Sequence, residues 1–368
     1  MLKISMPTIG PEEIAAIADV LQSGHIAQGP RVAEFEKIFA DYCDLRCAVA
    51  VNSGTAALHA ALHACGVQSG DEVITTPFSF VATANAILMQ GATPIFADID
   101  PDSFNVVPRR IEEKITEKTK AIVPVHLFGQ ICDVEAICAI ARDHDLKIIE
   151  DACQAHGARS NGRAAGTFGD AGCFSFYATK NMTTGEGGIV VSHDEIVAES
   201  VRRFRHHGMN ADRQYRFCEL GFNYRMTDME AALGLAQLQK VEGFNQKRIS
   251  NAARLTAGLH DIEGILTPGV AETGGHVFHQ YTIRVTNDFA LTRDELMECL
   301  MEKGIESAIF YPEPLHLCPH IRKLGYKEGD FPIAERMSKE VLSLPIHPLI
   351  RARDIDFIIE AFENIRSA

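Results

Sequence analysis

Short apolar runs rich in β-branched residues alternate with amphipathic stretches through the first two thirds of the chain. Apolar runs of that length read as buried strands and a 3.6-residue period as helix, so the alternation predicts an α/β unit around a mostly parallel sheet. Residues 48–51 read as a strand and 55–63 as a helix. A strand over 72–76 is closed by Pro77, a helix over 81–90 is ended by Gly91, and a strand follows over 94–99. Further strands are predicted over 120–126, 146–150, 172–177 and 188–192, and helices dominate 194–246.

Beyond residue 246 the rhythm changes. A strand over 277–285, a helix over 292–303, a strand over 306–310 and a last helix over 354–366 make a compact α+β unit. The chain is therefore expected to divide into a large domain, 1–245, and a smaller C-terminal domain, 246–368.

Composition narrows the function classes. The 368 residues are 46% hydrophobic and 23% charged, enough to bury a large core. The net charge is −14 and no run of Lys and Arg forms a basic stripe, which argues against a nucleic-acid partner but leaves room for an anionic small molecule in a local pocket. No stretch approaches the roughly 18–20 apolar residues of a membrane span, and the segment 1–10 lacks the order of a signal peptide, so a cytoplasmic protein without membrane attachment is expected. Ten cysteines lack paired short spacing and read as reduced thiols; Cys132 and Cys138 lie at a helix entry. The spacing of His316, His320 and His347 does not suggest a metal site either.

Three segments carry chemistry. Asn52-Ser53-Gly54-Thr55 joins a strand to a helix through small residues, which suits either an anion cradle or an ordinary helix cap. Asp151 follows an apolar strand, at the sheet edge where open α/β folds place ligands, within Glu150-Asp-Ala-Cys-Gln-Ala-His-Gly157; it also reads as a helix cap. Ser175-Phe-Tyr-Ala-Thr-Lys180 ends a strand in a lysine, ahead of the glycine-rich segment 183–188. Together these supply the three anchors a pyridoxal ring needs: for its phosphate, its ring nitrogen and its aldehyde.

These motifs, with Gly29-Pro30, Pro124-Val-His-Leu-Phe-Gly129, Gly221-Phe-Asn-Tyr-Arg-Met226, Tyr311-Pro-Glu-Pro-Leu-His316 and Ser343-Leu-Pro-Ile-His347, resemble the DegT/DnrJ/EryC1/StrS family of sugar aminotransferases nearly end to end. The resemblance implies the PLP-dependent transferase fold type I, with pyridoxal 5'-phosphate (PLP) held as a Schiff base on Lys180 and that lysine acting as nucleophile and then as base. It implies that Asp151 pairs with the pyridine N–H, that Gln154 contacts the phenolic oxygen, and that Phe78 stacks on the ring. The phosphate is expected on Gly54, Thr55 and Ser175, joined by Asn223 from a second subunit, which makes the active site a property of a homodimer. Arg225 and Tyr311 are expected to face the sugar.

L-Glutamate is the expected amino donor and a nucleotide-linked keto-sugar the acceptor. Phe310 stands where relatives acting on 3-keto-uronic acids carry histidine, which disfavours a carboxylated sugar. Segments 124–133 and 221–227 resemble perosamine synthases, although Gln154 takes the place of their acid. Lys180 favours transamination over the dehydration run by relatives with histidine there. A regulatory relative needs a basic surface that is missing, and a dinucleotide enzyme needs a G-x-G-x-x-G that segment 52–57 lacks. His206 and His207 read either as functional or as a helix-end charge cluster.

Overall fold

The computed structural model describes residues 1–210, 215–270 and 275–366. Helices α1 (Pro11–Ser23) and α2 (Pro30–Tyr42) each open on proline, whose missing N–H costs nothing in a first turn. Strand β1 (Cys47–Val51) runs into α3 (Gly54–Ala64). The alternation continues through β2 (Glu72–Thr75), α4 (Ala82–Met89), β3 (Thr93–Phe96), α5 (Pro108–Glu112), β4 (Thr119–Val123), α6 (Val134–Asp143) and β5 (Lys147–Asp151). A small hairpin, β6 (Arg159–Ser160) and β7 (Arg163–Ala164), precedes β8 (Ala171–Ser175) and β9 (Gly188–Ser192). Three helices follow, α7 (Glu195–Arg205), α8 (Asp228–Leu238) and α9 (Val241–Leu259).

Seven strands form the central sheet in the order β1-β9-β8-β5-β4-β2-β3. Every pair from β8 to β3 is parallel, while β9 runs antiparallel to both β1 and β8. Parallel neighbours need crossover connections, and helices supply those between β2 and β5; β8 and β9 follow each other directly and pair antiparallel. Successive residues of β1 enter opposite cores: Ala48 and Ala50 join Phe35, Phe39 and Phe174 under α2, whereas Val49 and Val51 join Leu58, Leu62 and Val201 under α3 and α7. With both faces covered, strands read as unbroken apolar runs, which is why they were legible.

The C-terminal part holds β10 (Ile265–Leu266), β11 (Tyr281–Val285), α10 (Arg293–Glu302), α11 (Pro332–Glu340), β12 (Val341–Leu344) and α12 (Ala352–Arg366). Its antiparallel sheet, β10-β11-β12, packs on a separate core that includes Leu255, Ile283, Leu296 and Phe362. The boundary expected at 245/246 falls inside α9, which serves both parts: Asn245 donates to the His156 carbonyl of the large part at 2.8 Å, while Leu255 and Leu259 belong to the C-terminal core.

Both strands predicted in the C-terminal part are shorter than expected. Residues 277–280 stay outside β11 because the Val277 and Gln280 amides donate to the Gly129 and Phe128 carbonyls instead. The segment 306–310 is a single bridge, Ala308 to Ser343, and Pro312 and Pro314 soon follow, with no N–H to extend a ladder.

Candidate active site

The site forms where β1, β5 and β8 end. Ser53 caps α3 by accepting the Ala56 amide at 3.1 Å. At Gly54, a Cβ would lie 2.6 Å from the Ser175 Cβ and 3.1 Å from the Cys153 sulfur, so only glycine lets the first turn of α3 approach the end of β8. Gly54, Thr55 and Ser175 therefore meet at the amino end of a helix, where free amides favour an anion. The helix cap and the cradle are the same structure.

Asp151 is the last residue of β5 and is 5% exposed. One carboxylate oxygen accepts the Thr83 hydroxyl at 2.7 Å and the other the Cys153 amide at 3.2 Å. Thr83 also lies 3.2 Å from the Ser79 hydroxyl, so a short hydroxyl chain from α4 and the turn before it holds the acid. Beneath Asp151, the buried Glu150 accepts the amides of Gly166, Phe168 and Gly169 and meets His126 Nε2 at 2.8 Å. Because His126 Nδ1 accepts the Cys132 amide, the ring's proton sits on Nε2 and is donated to Glu150. This network pins the strand end that presents Asp151.

Gln154 takes the Phe128 amide on its carbonyl oxygen at 2.8 Å and donates to the Tyr311 hydroxyl at 3.2 Å, linking the two parts of the chain across the site. Burial raises the Tyr311 phenol above its usual range, which keeps it protonated. Half-buried Lys180 follows β8, with its amide on the Tyr177 carbonyl at 2.9 Å. Burial lowers its pKa, against the opposing pull of Cys153 and Asp151. His156, buried behind it, is pushed down to about 3 by burial and by the Lys180 charge, and is neutral at ordinary pH.

The structure thus gathers Lys180, Asp151, Gln154, Tyr311, Gly54, Thr55 and Ser175. Phe78 is placed differently: it is 0% exposed, packed against Phe104 and edge-on to Tyr311. A ring enclosed on all sides offers no open face for stacking. Phe80, two residues on, is 57% exposed and its ring centroid is 6.3 Å from that of Tyr311. Phe80 and Thr83 were not among the expected site residues; Phe80 follows Pro77 at the edge of the sheet, which was the available signal.

Asn223 and Arg225 lie on an arm whose backbone pairs with residues 204–207. Asn223 is exposed and meets the cradle of its own chain only through its carbonyl, which accepts from the Asn52 side chain at 3.4 Å. Arg225 Nη1 lies 2.8 Å from His206 Nδ1. Burial, and then Arg225, lowers the His206 pKa, so this ring accepts a hydrogen bond and adds no charge to the helix end. Among the described residues no group of His, Cys, Asp and Glu is arranged for a metal ion, and no helix is long and apolar enough to cross a membrane.

Comparison with known proteins places the chain in a family. The DegT/DnrJ/EryC1/StrS aminotransferase family matches residues 7–363, and the chain belongs to that family. It is 42% identical to the spore coat polysaccharide biosynthesis protein SpsC of Bacillus subtilis, over 99% of this chain and 97% of that one. It is 40% identical to the GDP-perosamine synthase of Caulobacter vibrioides, over 99% and 98% of the two chains. The solved structure of DesV from S. venezuelae superposes with a TM-score of 0.93 at 38% identity, covering 97% of this chain and 95% of that one. The fold is that of the PLP-dependent aminotransferases, and the chain is a sugar aminotransferase of this class.

Proposed function

We propose that the chain binds PLP between Lys180 and Asp151 and uses it to move an amino group from L-glutamate to a nucleotide-linked keto-hexose. The observation that carries this reading is the convergence, at one sheet edge, of the Gly54–Ser175 contact, the tethered Asp151 carboxylate and a lysine whose pKa is depressed by burial. Each fits one part of the cofactor: amide donors and a hydroxyl for the phosphate, an anion for the ring nitrogen, a readily neutralised amine for the aldehyde. When bound, PLP supplies the electron sink for amino-group exchange.

The chain's residues do the rest. Lys180, in its deprotonated form, is the nucleophile and, once free, holds and moves the proton exchanged with the substrate carbon. Asp151 keeps the ring nitrogen protonated, its oxygens oriented by Thr83 and the Cys153 amide. Gln154, fixed by Phe128 and Tyr311, offers its amide N–H to the ring's phenolic oxygen. Phe80 takes the stacking role in place of Phe78. Tyr311 and Arg225 face the sugar, and Asn223 completes the phosphate site of a second subunit in a homodimer. The Caulobacter relative supports a GDP-linked 4-keto sugar as the first acceptor to try.

The test is to add L-glutamate to the PLP-loaded protein. The expected outcome is stoichiometric 2-oxoglutarate with loss of the visible cofactor band, followed by recovery of the band when a GDP-linked 4-keto-hexose is supplied. Absence of 2-oxoglutarate rejects glutamate as donor; recovery only with other nucleotide keto-sugars rejects GDP.

A further inference from the structure

Tyr224 stands between Asn223 and Arg225, and neither the cofactor site nor the substrate site described above uses it. Its backbone is tied at two points: its carbonyl accepts the Asn52 amide at 2.8 Å, and its amide donates to the Arg205 carbonyl at 3.0 Å. Its ring stacks on Phe222, with centroids 5.1 Å apart and planes 14° from parallel, and meets Phe204 and His59 edge-on. Its hydroxyl lies 3.0 Å from Nδ1 of His59, which is buried on α3.

That hydrogen bond joins two uncharged groups near neutral pH. Burial, and then His63, pushes the His59 pKa down to about 4, and burial raises the Tyr224 phenol. The stacked aromatic rings account for burial of the Tyr224 ring, but not for a hydroxyl directed at an imidazole; a phenylalanine would pack equally well.

Placement gives the bond its meaning. The first residues of α3, Gly54 and Thr55, form the chain's own phosphate cradle, and His59 lies between one and two turns further along the same helix. Asn52, whose amide holds the Tyr224 carbonyl, directly precedes the helix cap Ser53. The arm is therefore fastened to the cradle's helix at both the backbone and the side chain.

We propose that the Tyr224–His59 hydrogen bond is a positioning contact that holds the Asn223–Arg225 arm on the subunit that carries it, sets the reach of Asn223 to the phosphate site of the second subunit, and so sets cofactor affinity there. This rests on the reading that Asn223 serves a phosphate site. Tyr224 and His59 act through Asn223 and touch no reacting atom.

A double-mutant cycle on the full-length protein, read by titrating PLP into the apo-protein, tests it. A net hydrogen bond of about 0.5–1.5 kcal/mol corresponds to a roughly two- to twelvefold loss of affinity. Tyr224→Phe is expected to weaken PLP binding within that range while leaving the apo-protein's melting cooperative. Asn223→Ala is expected to weaken it at least as much, and the double variant no more than Asn223→Ala alone, because the two changes disable one device. Wild-type affinity in Tyr224→Phe, or losses that multiply in the double variant, overturns the proposal while leaving the Asn223 reading intact. Unchanged affinity in Asn223→Ala overturns the underlying reading, and the proposal with it.

Discussion

Thr83 orients Asp151, the acid proposed to meet the cofactor's ring nitrogen, through one hydroxyl, which donates to it at 2.7 Å from a helix 68 positions away in sequence. A hydrogen bond to a charged acceptor contributes about 1.5–3 kcal/mol, so Thr83→Val, which keeps the shape and loses the donor, is expected to slow the glutamate half-reaction roughly 10- to 100-fold. Thr83→Ser is expected to restore most of the rate, and single-turnover measurements with glutamate check both. An unchanged rate in Thr83→Val means the hydroxyl is idle. At this scale Asp151, Lys180 and Gln154 were legible because each follows a strand or sits in a tight motif. Thr83 was not, since nothing along the chain marks which helix will face Asp151. Phe78 and Phe80 were indistinguishable for a related reason: they are two residues apart outside a regular element, and only packing against Phe104 and Tyr311 decides which ring is enclosed.

At the scale of elements, the strands of the large part and helices α3 and α4 lie close to where the hydrophobic pattern places them, because a doubly covered sheet writes itself as apolar runs; between α7 and α8, where helices were expected to dominate, the described residues 206–210 and 215–227 form a non-helical arm instead. What the pattern leaves out is how an element is held at its ends. Helix α2 has no side-chain cap of its own; instead Asp228, the first residue of α8, accepts the amides of Gly29, Arg31 and Val32 at 2.8–3.1 Å. This gives Gly29-Pro30 a physical reason: a Cβ at Gly29 would lie 2.8 Å from the Asp228 carboxylate. Asp228→Ala strands three amides at the start of α2, and by the measured cost of lost caps and unpaired buried donors it is expected to destabilise the protein by about 1–3 kcal/mol. Urea denaturation checks it; a midpoint equal to the wild type's contradicts the assignment. The segments 277–280 and 306–310 mark the opposite limit. Their residues have strand composition, yet the first group spends its amides on the Gly129 loop and the second is cut short by proline.

At the scale of the whole molecule, the buried histidines set an acid limit. His59 is pushed down to about 4 and His156 and His276 to about 3, all by burial first, from an ordinary value of 6.5. In the window between those values and 6.5 the unfolded chain binds more protons than the folded one. The stability these three contribute is therefore fully present above pH 6.5 and is lost as pH falls. The melting temperature is expected to drop between pH 7 and pH 5, ahead of most carboxylate titration; calorimetry across that range checks it, and a flat profile contradicts it. Fold class and cofactor chemistry were legible at this scale because several motifs occur in one order, whereas the continuity of α9 across the two parts was hidden, a helix carrying no mark of which core each turn will join.

Lys180 is the residue proposed to hold the cofactor. Incubating the protein with PLP, reducing with borohydride and sequencing the peptides by mass spectrometry reads that attachment directly. A pyridoxyl group on Lys180, lost in Lys180→Ala together with the visible cofactor band, is the expected result. A label on another lysine, or a band that survives in Lys180→Ala, would contradict the account.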